Sequence, residues 1–503
     1  MKKHTVRVYP SKVHLPREEQ LAWKLAKMVT DYKPKISLEI SDMVINRLLD
    51  NAAVAVASVN RTPVINARAQ AMAHKRSSKG ANIFGMPNEF KVHAEWAAWA
   101  NCVAVRELDF HDTFLAADYS HPADSIPAII AVAQQVGLGG MDILRGVVAA
   151  YEVHVALVKA ICLHKHKIDH IAHLCPAQAA GVCALLQLDT ETTFQAIQQA
   201  LHTSISTRQS RKGEISSWKA YVPGHGAKLA IEAVDRAMRG EKSPSPIYEG
   251  EDSVIAWILD GPEAEYHIEL PEEGEEKRAI LETYTKEHSA EYQAQALIDL
   301  AINMRDKISD FNAIKTIVIE TSHHTHYVIG TGSNDPQKFD PNATRETLDH
   351  SIMYIFAVAL QDGEWHHVRS YEPERAKRAD TVKLWNKIST IESERWTALY
   401  HEPDPNRKAF GGKVIITMND GTVISEELER ANAHPAGFKP FGRLEYLKKF
   451  DVLVEGIISK EERNSYVDIV ENLRDLNSED VLTLNIQLDL STLKMAEKRG
   501  LFE

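Results

Sequence analysis

Cysteine is scarce, with four residues in 503. Cys102, Cys162, Cys175 and Cys183 form no CxxC pair and sit in apolar neighbourhoods. That excludes a disulfide framework and predicts buried structural thiols in a reducing, cytoplasmic setting. Basic charge is short too. Lys and Arg number 58 against 70 Asp and Glu, a net charge of -12. A broad basic face for nucleic acid is therefore excluded, while a local basic cleft is not. The opening MKKHTVRVYP has no apolar stretch behind its lysines and reads as no secretory signal. Residues 126–150 are the longest apolar region, but Gln134, Gln135, Asp142 and Arg145 interrupt it. A spanning helix needs roughly 20 mostly apolar residues, so no membrane association is expected. No GxGxxG or GxxxxGK[ST] occurs, which argues against NAD and ATP.

Apolar residues make up 44% of the chain, enough for a large core. Steps of three and four between apolar positions predict helices over 38–59, 86–108, 123–137, 141–163, 172–187, 190–203 and 225–238. Alanine recurs there, as in AEWAAWANCVAV, and small side chains let helices approach closely. The texture changes near Lys242-Ser243-Pro244 and again in the charged run 272–278. KTIVIE at 315–320 reads as a strand, and KVIITMNDGTVI at 413–424 reads as a hairpin about Asn419-Asp420-Gly421. Helices are expected over 347–360 and 376–391 between them, and over 444–450, 451–458, 461–473 and 491–498 after them. The expected division is a helical domain over 1–272, an α+β unit over 273–439, and tail helices over 440–503 that return to the first.

Three clusters can carry chemistry. In Asp109-Phe110-His111-Asp112-Thr113, two carboxylates three residues apart would share a helical face, and His121 follows in the next loop. Asp124 or Ser125 would cap the next helix. His164, His166, His170 and His173 crowd a second stretch. They match no metal-ligand spacing, and Lys165 and Lys167 would repel a cation, so no metal is expected. His164 and His166 read as solvated, while His170 precedes an apolar helix and can point inward. In Trp218-Lys219 a sheltered cation stands ahead of Gly224-His225-Gly226, read as a helix start with free N–H donors. Arg208, Arg211 and Lys212 form a basic patch that reads as surface. Glu291 and Tyr292 read as a cap and a core ring, His323, His324 and His326 as a polar strand end, and Arg443 as a surface ion pair or a contact for an acidic ligand.

VINRLLDNAAVAVAS at 44–58, ELDFHDTF at 107–114, SHPADSIPAIIAVA at 120–133, SWKAYVPGHGAKLA at 217–230, SAEYQAQA at 289–296 and ERWTALYHEPDPNRKAF at 394–410 run in order along the chain. With them the chain resembles the MmgE/PrpD family, and its late stretches resemble the dehydratase branch. The resemblance implies an all-helical domain with a smaller inserted α+β lid domain and a site between them. It implies a cofactor-free, metal-free homodimer acting on a small tricarboxylate. The expected reaction is loss of water from 2-methylcitrate in propionate breakdown. Decarboxylation of cis-aconitate is the rival reaction and a non-catalytic helical scaffold the remote one. By the same resemblance the catalytic residues are Asp109, Thr113, His121, His170 and Lys219, with His173 a rival to His170. Tyr292, His173 and Arg443 would contact substrate. Where many relatives carry a histidine after the lid aromatic, this chain has Gln293.

Overall fold

Alanine and glycine set the helix spacing in the computed structural model, which describes residues 1–211 and 215–502; Lys212 of the basic patch lies outside the described residues. The helices Gly140–Ala160 and Ile171–Leu185 cross where Gly146 faces Gly181. A Cβ on Gly181 would lie 2.8 Å from the Ala150 Cβ and 2.9 Å from the Gly146 carbonyl oxygen. Only glycine admits that approach. The helices Leu38–Ser58, Ala94–Glu107, Ile126–Val136 and Trp218–Met238 join the same buried core. So do Phe450, Leu453, Tyr466 and Val470 from the tail helices Arg443–Val454 and Lys460–Glu471. The chain's two ends thus share one core. At the start, Lys2–Arg7 pairs antiparallel with Glu265–Leu270, a strand pair spanning most of the first half.

A second core belongs to residues 290–416. Its sheet runs in the order Ile388–Glu392, Ile314–Thr321, Gly412–Met418, Val423–Leu428. The first two strands are parallel, and the other neighbours are antiparallel. The hairpin turns at Gly421, whose φ of 88° suits glycine. Gln295–Met304 and Ile352–Asp362 pack in this core through Leu297, Ile298, Tyr354 and Phe356.

Several elements differ from the sequence reading. The helix expected over 347–360 breaks into Arg345–Leu348 and Ile352–Asp362, because Ser351 accepts the Tyr354 N–H and starts a new helix. The helix expected over 376–391 ends at Trp385, and Ile388–Glu392 is a strand: its alternating burial wins over a helical stripe. His323–Val328 is a short helix capped by Ser322, not a strand end. The 218–238 helix begins at Trp218, so Gly224 and Gly226 lie inside it. They allow contact with the Trp99 carbonyl and Gln178 and supply no free N–H groups. One helix, Arg443–Val454, replaces the two expected there, and beyond 490 a single 3-10 turn, Leu490–Thr492, replaces the last. Among the described residues, no helix is long and apolar enough to cross a membrane.

Candidate active site

The Ala94–Glu107 helix stops just short of Asp109, whose φ of 49° is left-handed, a conformation uncommon for a residue other than glycine. That turn corrects the expected shared helical face: Asp109 and Asp112 diverge. Asp112 accepts the Ala123 N–H at 2.9 Å and the Tyr151 hydroxyl at 2.7 Å. Asp109 turns to a cluster of cations. Its carboxylate meets Arg106, Lys286 at 2.6 Å and Lys219 at 2.8 Å. Burial would push Asp109 up, but Arg106, Lys219 and Lys286 outweigh it and hold the carboxyl well below its usual range.

Lys219 bridges two carboxylates, because Asp349 accepts from the same ammonium at 2.9 Å. Asp349 occupies the helix break at 349–351, and His350 contacts it through Nδ1. Arg345 lies 4.0 Å from Asp349 and donates to the Ser289 hydroxyl at 2.8 Å. Two buried carboxylates therefore face Arg106, Lys219, Lys286 and Arg345, an excess of positive charge in a chain of net charge -12. Ligand atoms of Asp109, Asp349 and His350 lie within 4.8 Å of one another. The Lys219 ammonium already stands between the two carboxylates, so a divalent ion there would meet a fixed cation.

His121 approaches from the following loop. Its Nδ1 is 2.8 Å from the Asp112 carbonyl oxygen, an acceptor that fixes the proton on Nδ1. Nε2 is left with a lone pair, 3.8 Å from Asp109. Burial, then the charge of Arg106, pushes His121 well below the usual imidazole value, so it is neutral near pH 7. The His121 ring stacks on His111 at 5.1 Å and meets the edge of His170 at 5.9 Å. His170 has Asp169 at 3.0 Å from Nδ1 and Asp124 at 3.9 Å from Nε2. Asp124 in turn holds His111 at 2.8 Å.

Asp109, His121, His170 and Lys219 thus share one buried volume. The other expected residues are placed differently. The Thr113 hydroxyl donates to the Ser120 carbonyl at 3.0 Å, so its hydrogen is engaged and is not offered to a carboxylate. Its backbone instead pairs with Tyr284 in both directions, tying the two parts of the chain together. His173 reaches the Ile161 carbonyl at 2.9 Å and Asp118 at 3.8 Å. His164 holds the same Asp118 at 2.5 Å and His166 faces Asp260 at 3.3 Å; both are half-buried rings against a carboxylate, not solvated rings. Tyr292 is buried in an aromatic seam with Tyr284 and Phe410. Arg443 binds Asn46, Asp42 and Glu471 and shares no partner with the cluster.

A cleft of about 510 Å³ opens beside this cluster. His164, Lys165, Lys167 and Arg208 line one wall, and His323, His324, Tyr327 and Lys338 the other. Lys338 donates to the His350 carbonyl at 2.7 Å, which links the cleft to the Asp349 side of the cluster.

Sequence reasoning missed Arg106, Lys286, Arg345, Asp349 and Lys449. Lys449, from the tail helix, donates to the carbonyls of Phe110 and Lys286 and so fixes both approaches to Asp109. One signal was present: the polar triplet Asp349-His350-Ser351 interrupts an otherwise apolar helical pattern.

Two family models match the chain: MmgE/PrpD N-terminal domain over residues 19–267 and MmgE/PrpD C-terminal domain over 288–475. The mitochondrial 2-methylcitrate dehydratase of Yarrowia lipolytica is 27% identical over 338 residues, which span 64% of this chain and 62% of that protein's length. The 2-methylcitrate dehydratase of Cupriavidus necator is 23% identical, covering 84% of this chain and 87% of that one. A fungal alkylcitrate dehydratase is 23% identical, covering 89% and 88%.

Proposed function

The chain belongs to the MmgE/PrpD family, and we propose that it is a hydro-lyase converting 2-methylcitrate to 2-methyl-cis-aconitate. The observation that carries this reading is a neutral His121, its Nε2 lone pair 3.8 Å from a carboxylate that Lys219 and Lys286 already hold. The C2 hydrogen of 2-methylcitrate is weakly acidic, because the charge left behind develops beside an existing carboxylate. Cations fixed at that carboxylate lower the barrier by stabilising the aci-carboxylate form.

His121 Nε2 takes the C2 proton while Lys219 and Lys286 bind the adjacent carboxylate. The electron pair of the broken C–H bond becomes the new double bond. The C3–O bond breaks, and the hydroxyl leaves as water with a proton from His170, the imidazole with a carboxylate near each ring nitrogen. Asp109 holds the two lysines in place until substrate displaces it. The basic walls of the cleft, with Arg208 and Lys338, draw a trianion inward. The α+β part, residues 273–439, closes as the lid, with the tail from 440 returning to the helical body. A homodimer in the cytoplasm, running without a metal or other cofactor, belongs to the same reading. Light scattering checks the dimer.

Incubation with 2-methylcitrate, followed by ultraviolet absorbance, is expected to report the new double bond. A flat trace together with CO2 release from cis-aconitate would replace dehydration with decarboxylation, which uses a similar tricarboxylate clamp.

A further inference from the structure

Gln293 lies in the Tyr292–Ala294 turn and is 0% exposed, and among the described residues the Tyr400 phenol is the one group that reaches its amide; no other well-aligned hydrogen bond satisfies the amide nitrogen or oxygen. One phenol cannot satisfy both ends of a buried amide, and leaving the remainder unpaired is costly, so such a group in a native protein points to a partner that arrives later. Its surroundings say where. Its own backbone N–H donates to Glu291 at 2.7 Å. Glu291 feels Lys286, Asp109 and Lys219, so it borders the cation cluster. On the other side the Tyr400 phenol stands against the amide, and its buried oxygen has no partner besides that amide among the described residues. The Tyr400 ring stacks at 4.5 Å on His324, a residue of the cleft wall. The amide and the phenol therefore lie between the cleft and the reacting cluster.

Resting on the dehydratase reading, we propose that Gln293 and Tyr400 hold the substrate's tertiary hydroxyl, which makes Gln293 the residue that distinguishes hydroxylated from deoxygenated tricarboxylates. An amide offers one donor and one acceptor side, and so does a phenol, which suits an alcohol that both donates and accepts. A substrate carboxylate fits this place poorly. Among the described residues no cation hydrogen-bonds the Gln293 amide, and the neighbouring acid, Glu291, would repel a carboxylate. Burial pushes Glu291 up to about 7, so near neutral pH it keeps part of its proton beside an uncharged group. The hydroxyl so held is the leaving group, and the carboxylates remain for Lys219, Lys286 and the cleft.

The test compares binding of citrate with propane-1,2,3-tricarboxylate, which lacks only the hydroxyl, by calorimetry on the full chain. Wild type is expected to favour citrate by at least about tenfold, because a site built for a hydroxyl rejects the analogue without it. Gln293→Leu and Gln293→Met should each cut that ratio to within about twofold, leaving the affinity for the deoxy compound nearly unchanged. A preserved ratio in both variants would overturn the assignment while leaving the dehydratase reading standing. If wild type bound neither compound, the dehydratase reading itself would fall, and the inference with it. The melting temperature without ligand gives a second reading. Removing a buried amide whose polar ends are only partly satisfied should leave it within about 1–2 °C of wild type. A fall of several degrees in both variants would mark Gln293 as a structural residue and defeat the proposal.

Discussion

Where the Gly140–Ala160 and Ile171–Leu185 helices cross, the contact is glycine on glycine, with Ala150 against Gly181. Around Asp109 the chain buries Arg106, Lys219, Lys286 and Asp349 together, with Arg345 half-buried beside them. Both regions are buried. The first gains stability from dispersion and from apolar area removed from water. The second gives stability up, since desolvating each ion costs several kcal/mol before any pairing repays it. A protein that keeps such a cluster keeps it for what the charges do. The crossing holds the body rigid, and the cluster uses that rigidity to fix charge against charge.

The sharpest way to break this contrast is Lys219→Ala. It removes the ammonium that joins Asp109 to Asp349 and leaves the helical core untouched. Turnover of 2-methylcitrate, read by absorbance, should drop by at least about 10³-fold in kcat/KM, the scale of losing a fixed charge at a developing anion. Circular dichroism should stay that of wild type. Activity kept within tenfold would refute the carboxylate clamp. Gly181→Val tests the other region. Its side chain has no room beside Ala150 and the Gly146 carbonyl, so the melt should report a loss of about 3 kcal/mol, as overpacked cores do. Turnover per folded molecule should be unchanged below the transition. A change in kcat without a change in stability would show that the two regions are not separable.

A smaller effect concerns protons. Burial raises Glu291 to about 7, above its value of about 4.5 in an unfolded chain. A raised carboxyl binds its proton more tightly in the folded state. Its contribution is therefore full below pH 4.5 and is lost as pH climbs through 7. Glu291→Gln removes the need to ionise inside the protein. Denaturant titrations should show the variant gaining about 1–2 kcal/mol over wild type at pH 8 relative to pH 5. Equal differences at the two pH values would mean that Glu291 titrates normally.

The helical body was legible because its signals are local. Apolar periodicity set most helices within a few residues, and the Asn419-Asp420-Gly421 turn set the hairpin. The tail's return to the first core was visible only as a possibility, because Phe450 and Ile40 join one core across about four hundred residues of sequence. In the site, Asp109, His121 and Lys219 stood out by their neighbours. Lys286 did not, because a lone lysine in TKEHSAEY reads like any surface lysine until the fold buries it. Asp349 was hidden inside an expected helix, where the cap at Ser351 outweighed the apolar run on either side. Charge pairing across distant segments has no period, so nothing in the local pattern announces it.

Arg443 draws the outer limit of the charged region. Its place after Gly442 allowed a contact for an acidic ligand beside the ordinary surface ion pair, and its guanidinium sits on Asn46 at 2.6 Å, with Glu471 at 3.3 Å and Asp42 at 3.6 Å. Both acids are largely exposed, at 67% for Asp42 and 42% for Glu471, so water screens the pairs. Such pairs are worth less than about 1 kcal/mol. Arg443→Ala should therefore shift the melt only slightly and leave kcat/KM for 2-methylcitrate within about twofold, since the helix keeps its Glu445 capping contact and its Lys449 anchor. A tenfold rise in KM at unchanged stability would instead carry the tricarboxylate clamp out to the tail helix. The contrast between a closed charged cluster and an ordinary surface would then have to be redrawn around Asn46.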